Sequence, residues 1–208
     1  MTDIRELDRR AVEATGAFLA TAGPADLALP TPCAGWTLRD LAEHLVGQNH
    51  GFAAAARGEG ADLAVWRPRP VGDDPADAYR ASADDVIAAF AADGALDSGW
   101  ALPEIRDGGT FPGRIGISFH FVDYVVHAWD VAATLRLDPM ADAEGSAGLD
   151  PELVAAALPV AERVPDDPES RAPGRAFRPS LRTGPDDQAL HRLLRLLGRD
   201  PAWKPPTG

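Results

Sequence analysis

The chemistry open to this chain rests on five histidines, one cysteine and the aspartates near them. Asp123 and His127 lie four residues apart in the stretch Gly113–Arg136, GRIGISFHFVDYVVHAWDVAATLR. On a helix their side chains sit one above the other on the same face. Gly116, His120, Asp130 and Thr134 share that narrow polar stripe. His44 belongs to an earlier amphipathic stretch, beside Asp40 and Gln48.

Three chemistries are open to this set. His44 with Asp123 and His127 would make a metal site built from facing helices, as bundle interiors do. Two neutral imidazoles and a carboxylate suit Zn²⁺, Fe²⁺, Ni²⁺ or Co²⁺, with a position left for water or substrate. Spacing alone leaves this against a plain hydrogen-bonded pair at the bundle surface. An acid–base dyad needs only Asp123, or Asp130 from three residues on, to orient His127; a satisfied buried histidine competes with it. Cys33 as a nucleophile would draw on the helix N-terminus that follows it. Several residues separate the two, and no histidine or lysine is near in sequence, so a structural cysteine is the preferred reading. His50, six residues from His44, points to another face and reads as solvent-side. His191 lies in an arginine-rich helix and reads as surface. His120, one turn before Asp123, reads as a supporting residue or a substrate contact. Trp36 and Trp129 read as core.

The elements that must position these residues are helical. Gly113–Arg136 is apolar around most of its circumference: Ile115, Phe119, Val122, Val126, Trp129 and Ala133 form one stripe, and Phe121, Val125, Ala128 and Ala132 flank it. Its polar stripe is therefore either the helix's only wet side or the lining of an internal site. Residues 3–21 read as a first helix, ended by Gly23-Pro24. The connector Asp26–Gly35 holds two prolines and a glycine. Thr37 then opens a second helix, with Asp40 three residues on as a near-match to a capping box; Leu38, Leu41, Leu45, Phe52 and Ala56 are its core side, and Gly58 and Gly60 end it. Asp74-Pro75 starts a third helix running to about Ala92. Asp93–Pro112 reads as a long loop or short hairpin, long enough to cover a site. After a loop at Asp138–Gly148, Asp150-Pro151-Glu152 starts a short helix to about Arg163. Pro185-Asp186-Asp187 begins the last, ended by Gly198 and Pro201. The expected fold is all-α: an antiparallel four-helix bundle (about 3–137) with short extra C-terminal helices (about 138–208), as one domain over 1–208.

Composition narrows the partners. A chain 45% apolar and 25% charged is that of an ordinary globular protein. A net charge of −12 argues against nucleic acid or anionic membrane as partner. No apolar run approaches a membrane span, no signal peptide opens the chain, and the single cysteine excludes an internal disulfide, so a cytoplasmic location is expected.

Three segments carry a family resemblance. TPCAGWTLRDLAEHLVG (Thr31–Gly47), VDYVVHAWDVA (Val122–Ala132) and LLRLLGRDPAW (Leu193–Trp203) resemble the actinobacterial family of mycothiol-dependent maleylpyruvate isomerase-like, DinB-like metal-binding proteins. The last segment resembles the subgroup ending in GRDPxW. The resemblance implies a DinB-like four-helix bundle holding a divalent metal, zinc or nickel, on His44, Asp123 and His127. Asp123 stands where glutamate or histidine is usual, one methylene shorter. His120 cannot replace it, because His120 and His127 are two turns, roughly 10 Å, apart along the axis. Asp130 is then a supporting acceptor. The implied function is a metal- and mycothiol-dependent thiol transferase or isomerase acting on a small electrophile, with Arg106 and Arg114 available for an anionic substrate. The alternative is a non-catalytic metal-binding or ligand-sensing bundle. The better characterised isomerases carry a further C-terminal domain, whereas only about 70 residues follow the central helix here. Pairing as a homodimer is common for such bundles.

Overall fold

The computed structural model describes residues 2–103, 105, 108–140, 148–173 and 175–206. Its elements are α1 (Ile4–Leu19), α2 (Leu38–Ala56), α3 (Pro75–Ala91), strands β1 (Gly99–Leu102) and β2 (Gly109–Pro112), α4 (Gly113–Thr134), α5 (Pro151–Ala161) and α6 (Ala189–Leu196). The helix starts follow side-chain chemistry. Asp3 caps α1 through the Arg5 amide, Asp74 accepts from the Ala76 and Asp77 amides at 3.1 Å, and Asp150 caps α5, each of the last two followed by proline. On α2 the capping box is complete: Thr37 accepts the Asp40 amide while Asp40 accepts the Thr37 amide at 2.8 Å. Aspartate closes the box there in place of the usual glutamate or glutamine.

α1 packs on α4 and α3, α2 on α3 and α4, and α5 on α4 and α6. The fold is mostly helical, with one two-stranded sheet among the described residues. That sheet settles Asp93–Pro112 as a hairpin, Trp100 opposite Phe111. Trp100 is fully buried and packs near Phe90 at a ring separation of 5.2 Å, which pins the hairpin against α3 and the start of α4. α6 begins later than the sequence suggests. Asp187 accepts the Gly184 amide at 2.8 Å and closes a turn, so the helix starts only after Gln188. Residues 141–147 of the expected 138–148 loop lie outside the described residues.

Both stripes of α4 are largely buried, with Val122, Val126 and Trp129 in the core. His120, His127, Asp130 and Thr134 are buried, while Ile115, Phe119 and Ala133 on the apolar stripe are half-buried. Its polar side faces the protein interior.

Candidate metal centre

α4 and α2 bring His44, Asp123 and His127 together: one donor atom from each lies within 4.8 Å of the others. The capping box places His44 on the second turn of α2. Gly47, one turn on, lets the chain at Arg67-Pro68 cross the helix. A Cβ there would stand 2.5 Å from the Arg67 carbonyl oxygen. The glycine of HLVG is thus a packing requirement of the helix that carries His44.

His127 is the hinge of the site, 4% exposed. Its Nδ1 lies 2.9 Å from Asp130 Oδ2 and its Nε2 3.5 Å from Asp123 Oδ1. Burial raises the Asp130 pKa, but the Arg199 guanidinium and His127 outweigh it and hold the carboxyl at about 2. Asp130 is therefore an acceptor, and Nδ1 of His127 must donate to it. That leaves Nε2 facing a second carboxylate. A bare nitrogen lone pair and a carboxylate oxygen at this separation repel, so the place between them calls for a positive charge, a proton or a metal ion. Burial alone lowers the His127 pKa, but Asp123, Asp130 and Cys33 together carry it well above 6.5. His44 goes the other way: burial, with His127 and Arg199 adding to it, depresses its pKa to about 4 against the pull of Asp123. It is neutral at pH 7 and has a lone pair to give. Its ring meets His127 edge-on at 5.4 Å and lies 4.9 Å from half-buried Trp36. One neutral imidazole, one imidazole oriented by a carboxylate, and a second carboxylate fit a divalent cation.

A second group, Cys33, His127 and Asp130, also has donors within 4.8 Å of one another. A cation already occupies it. Arg199, 5% exposed, donates through Nε to Asp130 Oδ1 and through Nη2 to Oδ2, each at 3.1 Å, and reaches Cys33 Sγ at 3.3 Å. Cys33 donates to Asp130 Oδ2 at 3.2 Å. Sequence reasoning missed this meeting. It set Cys33 apart for want of a near neighbour, and gave Arg199 no role although the residue sits in GRDPAW. All three motif segments meet here: Cys33 from the first, His127 and Asp130 from the second, and Arg199 from the third.

His120 belongs to neither group, which corrects its reading as a support or substrate contact. Its Nδ1 lies 2.7 Å from Asp8 on α1 and its Nε2 3.3 Å from Asn49 on α2, with Asp8 and His120 both wholly buried. Asn49 also accepts from Tyr124 at 2.6 Å and donates to Ser82 on α3 at 2.9 Å. Arg114 is ion-paired with Asp97 at the start of α4, nine residues and so roughly 13 Å from Asp123 along the helix. Arg106 lies outside the described residues. His50 and His191 are half-buried rather than fully exposed. Among the described residues no helix is long and apolar enough to cross a membrane.

Comparison with known proteins agrees with this architecture. A solved structure described as the mycothiol-dependent maleylpyruvate isomerase superposes with a TM-score of 0.55 at 15% identity, covering 83% of this chain and 76% of that one. Two uncharacterized proteins from two strains of Mycobacterium tuberculosis are each 34% identical over 197 residues, 92% of this chain and 94% of theirs. The sequence model described as the mycothiol maleylpyruvate isomerase N-terminal domain matches residues 9–132, more than half of the chain and including His44, Asp123 and His127. The chain therefore belongs to the mycothiol maleylpyruvate isomerase N-terminal domain family.

Proposed function

We propose that His44, Asp123 and His127 hold a divalent metal ion, zinc or nickel, and that the protein is a thiol transferase or isomerase acting on a small electrophile with a low-molecular-weight thiol, mycothiol, as cosubstrate. The observation that carries this reading is the His127 Nε2 facing Asp123, with neutral His44 beside them and Nδ1 already committed to Asp130. Family membership supports the thiol. A bound divalent ion supplies one thing here: it lowers the pKa of a coordinating thiol and keeps it ionised at neutral pH. The protein's own residues do the rest. Asp130 sets the orientation of His127, and the partly exposed Asp123 and His44 keep the site open to a ligand on one side. Asp123 is the one anionic donor beside two imidazoles that are neutral when they ligate, so a dication held by these three residues would leave them with a single net positive charge, suited to an anionic sulfur.

Metal analysis of the purified protein is the first test. His44→Ala and His127→Ala are each expected to abolish retention, while His50→Ala keeps it. Retention in the His44 variant would sink the ligand assignment, and a wild-type protein that neither carries nor takes up a transition metal would sink the reading whole. With Co²⁺ loaded, a thiol-dependent shift in the visible absorption supports the enzyme. No shift, and no thiol consumed with electrophiles, favours a non-catalytic metal-binding bundle.

A further inference from the structure

We infer that Arg199, supplied by the C-terminal segment, is the positioning residue of this centre, acting on His127 through Asp130; the inference rests on the ligand reading above. The argument begins with how Arg199 gets there. α6 ends in a Schellman motif: Gly198 adopts φ +74°, its amide donates to the Arg195 carbonyl at 3.1 Å, and the Arg199 amide donates to the Leu194 carbonyl at 2.8 Å. A residue with a side chain at 198 would be strained by that φ and would press on Arg178, whose carbonyl oxygen lies 2.7 Å from the ideal Cβ. Asp200 then accepts the Ala202 amide at 2.9 Å and turns the chain away. Gly-Arg-Asp-Pro is thus a device that stops a helix and aims one arginine inward.

What the arginine meets is specific. It grips both oxygens of Asp130, and the Oδ2 that takes its Nη2 also takes Nδ1 of His127. Asp130 cannot rotate without breaking the guanidinium contacts, so the His127 ring is held with Nε2 toward Asp123. A carboxylate that orients a ligand histidine is a general feature of metal sites. Here the carboxylate is itself clamped, by a residue 69 positions away and beyond the stretch, 9–132, that the family's sequence model spans. The C-terminal segment is on this reading part of the centre.

The test uses the full chain with Arg199→Met and Arg199→Lys, alone and in an Asp130→Asn background. In metal-free protein labelled with ¹⁵N in the histidine rings, His127 Nδ1–H should give a downfield, slowly exchanging proton signal. That signal should be lost in Arg199→Met and shifted in Arg199→Lys. Co²⁺ titration should show affinity reduced about 10- to 100-fold in Arg199→Met and less in Arg199→Lys. Arg199→Met should add no further loss once Asp130 is Asn, because both act along one line. An unchanged ring signal with unchanged Co²⁺ affinity in either variant overturns the inference, as does an additive loss in the double variant. Should Arg199→Met fail to fold, Arg199→Lys carries the same criteria. Should wild-type protein bind no Co²⁺, the proposed function fails, and the ring signal alone decides whether Arg199 holds His127.

Discussion

His127 has its two ring nitrogens committed to different neighbours, and its protonation follows from both. Folding raises its pKa above the unfolded 6.5, with burial opposing and Asp123 and Asp130 prevailing. A raised pKa means that the fold gains stability from this proton fully below pH 6.5 and loses it as pH rises through the folded value. A divalent ion would occupy the proton's place between Nε2 and Asp123. Metal-free protein is therefore expected to lose thermal stability as pH rises from 6.5, and metal-loaded protein to be spared. Melting curves with chelator and with Zn²⁺ across that range check this; identical pH profiles would contradict it. Since His44 is already neutral at pH 7, binding releases one proton, and apparent affinity should rise about tenfold per pH unit while His127 stays protonated in the free protein.

α2 and its crossing segment set where His44 stands. Thr37→Ala removes half of the capping box and should cost about 1 kcal/mol without moving the helix. Gly47→Ala is a different test. Its methyl meets backbone, the Arg67 carbonyl, which cannot swing aside as a side-chain tip can. Overpacking of this kind costs about 1–3 kcal/mol. Because His44 lies one turn away on the same helix, weaker metal retention is expected with the loss of stability. Denaturant melts and metal titration together separate the two variants: Thr37→Ala should change only the first. The same close approach explains why the HLVG glycine could be read as a motif but not as a contact. Its partner comes from a stretch of irregular chain with no periodicity of its own.

Across the whole molecule one polar layer joins four helices: Asp8 on α1, Asn49 on α2, Ser82 on α3, and His120 with Tyr124 on α4. Asp8 Oδ2 has no partner within this layer, and burial raises the Asp8 pKa despite the nearby His120. Removing one partner of a buried hydrogen bond leaves the other unsatisfied, at about 1–3 kcal/mol, whereas apolar replacement of both is often close to neutral. Asp8→Ala and His120→Ala are thus expected to lower stability strongly, and Asp8→Leu with His120→Phe to recover most of it. Metal affinity should stay near wild type in the recovered double variant, as His120 and His127 are two turns apart. A double variant no more stable than the singles would show that the layer's geometry, rather than an unsatisfied polar group, is what matters.

What the sequence by itself determined is local. Asp74-Pro75, Asp150-Pro151 and the Thr37/Asp40 box place helix starts because a cap reads only residues two or three away. Asp123 and His127 share a face because the helix's own 3.6-residue turn puts them there. The same periodicity could not say whether the polar stripe of α4 faced water, since an isolated helix has no inside. It could place His120 two turns from His127, but not say that His120 serves Asp8 while His127 serves Asp123 and Asp130. Arg199 on Asp130 and His120 on Asp8 join residues 69 and 112 positions apart. No spacing encodes such pairs. They exist only because apolar packing of the helices brings α1, α2 and the turn after α6 onto α4, and the buried polar groups then have each other as partners.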